Sequence, residues 1–127
     1  MTQPENRGVA RLVAAWKNSR RGLIDAWQRE EAFRQETVAF VVSFPMAFLI
    51  ASSLAQAALM IGSILLLMLV EIMNSAIEAT IDRIGPERHE LSRVAKDLGS
   101  AAVFVAMLFP ATIWIAVIAS KLNLITL

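Results

Sequence analysis

The segment EIMNSAIEATIDRIG, residues 71–85, follows a long apolar run and sets Glu71, Asn74 and Glu78 at i, i+3 and i+7. On a helix that spacing puts all three on one face, with Ser75 and Asp82 close to it. An acid at the centre of a membrane-spanning helix costs roughly 2.5–3.5 kcal/mol on insertion scales, so such residues face a bundle interior or a watery cleft. The two glutamates stand about 10 Å apart along the axis at 1.5 Å per residue. Glu78 is therefore nearer the headgroups and Glu71 deeper. The plainer reading is a polar cluster that glues helices together. Two acids and an amide on one stripe favour chemistry or transport.

The elements that must position these groups are readable from hydropathy. The chain has 127 residues, 57% of them hydrophobic, and a mean hydropathy of +0.58. That is too apolar for an ordinary soluble domain and too short for more than one domain, 1–127. No charged side chain occurs from 37 to 70 or from 98 to 120, whereas one span needs about 20 apolar residues. The first run is too long for one helix. Its local polar cluster, Ser52, Ser53 and Gln56, predicts a tight turn between helices at about 35–53 and 57–84. A third helix is expected at about 92–120. Pro45 and Pro110 fall inside spans, where neighbouring helices can satisfy the freed carbonyls.

Seven Lys or Arg precede Glu36, four lie between Asp82 and Asp97, none is in the Ser52 turn, and Lys121 stands near the end. This bias predicts a cytoplasmic N-terminus and 82–97 loop, with the Ser52 turn and C-terminus outside. Residues 1–34 mix bases with acids and have no continuous apolar core, so they do not read as a signal peptide. A net charge of +1, with basic residues interleaved among acids, gives no case for nucleic acid. The absence of cysteine excludes disulfides and thiolate chemistry.

Within residues 1–34, Val9, Leu12, Val13, Trp16, Leu23, Ile24 and Trp27 recur at helical steps between Arg11, Lys17, Arg20, Arg21 and Asp25. The pattern is an amphipathic helix suited to the membrane interface, with Gly22 the place where it would loosen or bend. A passive anchor has little use for Glu30, Glu31 and Glu36, so its polar face is expected to close over a site.

The loop DRIGPERHELSRVAKD, residues 82–97, brings cations and acids to the same membrane face as Glu78 and ends with Lys96 and Asp97. His89, alone in that loop, reads first as an exposed or hydrogen-bonding residue. A hard divalent cation such as Mg²⁺ takes carboxylate oxygens and completes its shell with phosphate, so Glu78 and an N-terminal glutamate can share one. A deeper carboxylate can accept a proton from a hydroxyl at the lipid interface. Together these describe phosphoryl transfer from a nucleotide to a lipid alcohol, without the Gly-rich loops or the HRD and DFG elements of soluble kinases.

EEAFRQE (30–36), EIMNSAIEATIDRIG (71–85) and HELSRVAKDLGSAAV (89–103) together resemble the prokaryotic diacylglycerol kinases. The resemblance implies an all-α integral-membrane homotrimer, with sites shared between subunits, that uses MgATP to phosphorylate diacylglycerol in the inner membrane. It further implies Glu71 as general base, Glu30 and Glu78 as metal ligands, and Asn74 orienting base or substrate. Lys96 and Asp97 would contact nucleotide, as would Arg11, Asn18, Glu87, Arg88 and His89. The lipid would meet Glu36, Gln35 and Ser100, together with Ser19, Trp27, Ala32, Phe33 and Arg34, and Arg11 as well. Members commonly carry aromatic residues where this chain has Asn18 and Arg20, and a small residue where it has Glu31.

A related family phosphorylates undecaprenol with the same acids, and groove shape decides between the two lipids. A small proton or cation transporter would also place Glu71 in the membrane, but has no need of Glu30, Lys96 and Asp97 at one face. A purely structural membrane subunit would leave the acids unexplained.

Overall fold

The computed structural model describes residues 7–124, and among these the regular elements are four helices. They are α1 (Arg7–Arg29), α2 (Glu31–Ile50), α3 (Leu54–Ile84) and α4 (Glu90–Lys121). The last three are long and apolar enough to cross a membrane. Residues 1–6 of the expected interfacial segment and 125–127 at the expected outer end lie outside the described residues.

The Ser52 turn forms where the polar cluster predicts it, and its chemistry is local. Ser53 caps α3 by accepting from the Gln56 backbone N–H at 3.2 Å, while the Gln56 side-chain oxygen accepts from the Ser52 N–H at 2.8 Å. This reciprocal exchange is close to a capping box and satisfies two donors that the helix start would otherwise orphan. It also corrects the boundaries. α2 ends at Ile50 rather than 53, and α3 begins at Leu54 rather than 57, because Gln56 serves the cap from inside the helix.

The other correction is at the N-terminal side. α1 runs unbroken through Gly22 and stops at Arg29, and α2 starts at Glu31, so Ala32, Phe33, Arg34 and Gln35 belong to α2 rather than to the interfacial segment. The break is the single residue Glu30, extended at φ −106° and ψ 113°. Hydrogen bonding continues across it, from the Glu30 N–H to the Ala26 carbonyl at 2.9 Å and from the Arg34 N–H to the Glu30 carbonyl at 3.3 Å.

At the opposite connection, Gly85 takes φ +145°, a region open to glycine and closed to most side chains, and Pro86 follows. His89 then caps α4, its Nδ1 accepting from the Leu91 N–H at 3.1 Å. α4 therefore begins at Glu90, two residues before the expected 92, and ends at Lys121.

α3 is the central element, packed against both α2 and α4, while α1 touches α2. The core beside the Ser52 turn is Ala47, Ala57, Met60 and Val117, with Ile50, Ile61, Ile113 and Trp114 against it. The Trp114 indole N–H donates to the Met60 carbonyl at 3.1 Å and so ties α4 to α3. Large apolar side chains stay exposed on every helix, among them Val41, Leu49, Leu59, Leu69, Phe104 and Ile115. In water such a surface would aggregate, whereas in hydrocarbon it is ordinary.

Candidate functional site

The helix stripe is real, and its members have different surroundings. Glu71 is only 6% exposed and is the one buried charged side chain among the described residues. Asn74 and Glu78 are half-buried one and two turns further on, and the Asn74 Nδ2 donates to Glu78 Oε1 at 3.2 Å. The amide thus holds the shallower carboxylate from the i, i+4 position. The Asn74 Oδ1 is buried without a donor. So is the Glu36 Oε2 on α2. Buried acceptors left open in this way are uncommon in packed protein and ask for a functional account.

Glu30 and Glu78 line one cavity of about 490 Å³ between α1 and α3, together with Asp25, Arg29, Ser75 and Asp82. The extended backbone at Glu30 is what lets the residue leave the helix surface here. Among the described residues no three His, Asp or Glu side chains are already gathered closely enough to hold a metal.

A second cavity, about 580 Å³, lies over the 85–89 loop and is walled by Asp82, Glu87, Arg88, His89, Arg93 and Lys96, among others. Lys96 reaches across from α4 to α3, its Nζ 2.7 Å from Asp82 Oδ1. Asp82 lines both cavities. Arg93 forks between Glu90 and Asp97 on one face of α4. All these groups are well exposed, so the pairs add little to stability and chiefly set orientation.

Towards the membrane interior a third hollow of about 440 Å³ runs from Glu36 past Ser43, Met46 and Leu67 to Trp114, and its walls are almost wholly apolar. Phe33 is buried, and Arg34 is turned back to donate to the Trp27 carbonyl at 3.0 Å. Gln35 donates to Glu31 at 3.4 Å. Ala32 and Ser100 are exposed, as are Arg11, Asn18 and Ser19 along α1.

Three sequence-derived groups are therefore brought together: Glu30 with Glu78, Asn74 with Glu78, and Glu87, Arg88, His89 and Lys96 around one hollow. Arg11, Asn18 and Ser19 line neither of these two cavities. Arg93 was legible in principle, since Glu90, Arg93 and Asp97 have the spacings that pair on a helix. Asp82 stood near the Glu71 stripe in the sequence, but nothing local shows that it meets Lys96 fourteen residues later.

A family model described as prokaryotic diacylglycerol kinase matches residues 17–118. The chain belongs to the prokaryotic diacylglycerol kinase family. The diacylglycerol kinase of Escherichia coli is 47% identical over 107 residues, covering 84% of this chain and 88% of its own. That of Pseudomonas aeruginosa is 46% identical over 111 residues, covering 87% and 90%. That of Haemophilus influenzae is 43% identical over 107 residues, covering 84% and 91%. As a member of this kinase family the chain is a phosphotransferase, which sets aside the transporter and structural-subunit readings. The match contains the stretches 30–36, 71–85 and 89–103, and with them the three cavities' principal side chains; Arg11 lies outside it.

Proposed function

We propose that this chain transfers the γ-phosphoryl group of ATP to the free hydroxyl of diacylglycerol, giving phosphatidic acid and ADP. The observation that carries the reading is Glu71, a carboxylate kept out of solvent on the same helix face as Glu78. The lipid lies along the apolar hollow with its headgroup towards Glu36, Gln35 and Ser100. Its hydroxyl oxygen attacks the γ-phosphorus as the bond from that phosphorus to the ADP oxygen breaks. Glu71 takes the hydroxyl proton, and Asn74 holds the neighbouring carboxylate still.

Glu30 and Glu78 suit Mg²⁺ because both offer carboxylate oxygens to one cavity, where a hard cation would leave the rest of its shell to phosphate. Bound there, the ion would offset the negative charge of the transferring phosphoryl group. Lys96, fixed by Asp82, meets the phosphates, and Asp97, Arg88, Glu87 and His89 border the nucleotide, with Arg11 and Asn18 approaching from α1.

The enzyme resides in the inner membrane with α1 at the cytoplasmic interface, and acts as a homotrimer with sites shared between subunits. Four helices offer too little protein to surround both a nucleotide and a lipid alcohol. The deciding experiment supplies the purified protein with labelled ATP and either diacylglycerol or undecaprenol. Preferential formation of labelled phosphatidic acid is expected, and preference for undecaprenol refutes the lipid assignment. Mixing Glu71→Gln with Lys96→Ala chains should restore activity if sites are shared. Cysteines placed at Ser53 and Ser92 should label from opposite sides of the membrane.

A further inference from the structure

Gly99 is buried on α4 opposite Asn74. A methyl group built on its Cα would overlap the Asn74 Oδ1, and the Asn74 Cγ would lie 3.2 Å away. The same methyl at Gly8, Gly22, Gly62 or Gly85 meets nothing within 4 Å. Gly99 is thus the glycine, among those described, whose bare Cα is needed by a neighbouring side chain. A planar amide has its acceptor and donor ends in fixed opposition. With Oδ1 seated against Gly99 and left without a donor, Nδ2 is turned to Glu78 Oε1 at 3.2 Å. Leaving a carbonyl buried and unpaired is costly, so the fit between the two helices has to hold the amide in this sense.

We propose that Gly99 is a positioning residue: the missing side chain on α4 seats the Asn74 amide, and through it occupies one oxygen of Glu78 and leaves the other for the metal. The inference rests on the reading of Glu78 as a ligand. A side chain at 99 would push Asn74 out of its seat and free Glu78 to rotate, although Gly99 itself has no side chain to offer a substrate.

The test uses the full-length protein in lipid micelles and the variants Gly99→Ala, Asn74→Ala, their combination, Glu78→Gln, and Gly62→Ala as a helix-glycine control. Two readouts do not depend on turnover: the Asn74 side-chain amide resonances without metal, and Mn²⁺ binding in the presence of a non-hydrolysable ATP analogue. Gly99→Ala should shift the Asn74 resonances and weaken Mn²⁺ binding about tenfold, the scale of one hydrogen bond to a charged group. Gly62→Ala should do neither. Adding Gly99→Ala to Asn74→Ala should weaken binding no further, because the overlapping atom is gone. Unmoved Asn74 resonances, or an equal loss from Gly99→Ala in both backgrounds, overturns the proposal. If Gly99→Ala fails to assemble, recovery in the double variant supports it and continued failure overturns it. Glu78→Gln with undiminished Mn²⁺ binding overturns the ligand reading and this inference with it. A Glu78→Gln defect beside wild-type behaviour of Gly99→Ala overturns the inference alone.

Discussion

Near the Ser52 turn, Met60 is fully buried among Ala47, Ala57 and Val117, and its carbonyl accepts from both the Ser63 hydroxyl and the Trp114 indole. Two turns or more along the same helix, towards the 85–89 loop, Glu71 is buried, the Asn74 Oδ1 has no donor, and open cavities separate α3 from α1 and from the loop. One half of α3 closes its polar groups and fills its space with small and flexible side chains, and the other half leaves both unfinished. Hydrocarbon gives no hydrophobic push between helices, so the closed half must hold the bundle by packing and a few hydrogen bonds. Open polar groups in the other half are affordable only because that anchor exists.

The largest effect expected from breaking this contrast is at its buried acid. Glu71→Gln keeps the shape and removes the base, so turnover should fall by about 10²–10⁴-fold with near-normal MgATP affinity. Glu78→Gln should weaken metal and nucleotide binding as well as rate. Parallel binding and turnover measurements on the two variants check the division, and the reverse pattern would exchange their roles.

In the closed half, Trp114→Ala removes a partly buried ring and the bond to Met60. A loss of about 3 kcal/mol is expected, the low end for a truncated aromatic because the ring is only partly enclosed. Trp114→Phe deletes the indole donor while Ser63 still serves the carbonyl, so about 0.6 kcal/mol should be lost. Unfolding of the micelle-bound protein by an anionic detergent reads both.

Much of this contrast was legible in the sequence. Charge-free runs and the Ser52, Ser53 and Gln56 cluster gave three spans and the turn, because hydrocarbon imposes length and the cap is built from side chains within four residues. The Glu71, Asn74 and Glu78 stripe was legible because helix period alone puts it on one face. The break at Glu30 was not, since neither glycine nor proline marks it. Lys96 meeting Asp82, and Gly99 facing Asn74, depend on the register between α3 and α4, which local pattern does not carry.

Smaller effects sharpen the picture at the loop. His89→Ala removes the α4 cap and should cost about 1 kcal/mol, while His89→Asn should keep the cap. If both variants lose nucleotide affinity and only the first loses stability, capping and contact are separate duties of one ring. Asp82→Asn should leave stability nearly unchanged, the pair being exposed, yet raise the MgATP KM by freeing Lys96. An unchanged KM would leave Asp82 a bystander.

The single extended residue between α1 and α2 has a mechanical consequence. α1 spans 23 residues, a rigid arm of about 35 Å at 1.5 Å per residue. Its fulcrum is Glu30, which also carries a carboxylate into the cavity shared with Glu78. A wide swing at the far end of the arm is therefore geared down to a small displacement at that carboxylate. Thermal motion at the far end of α1 reaches the site attenuated, while anything that seats the arm against the bundle sets the carboxylate's position finely.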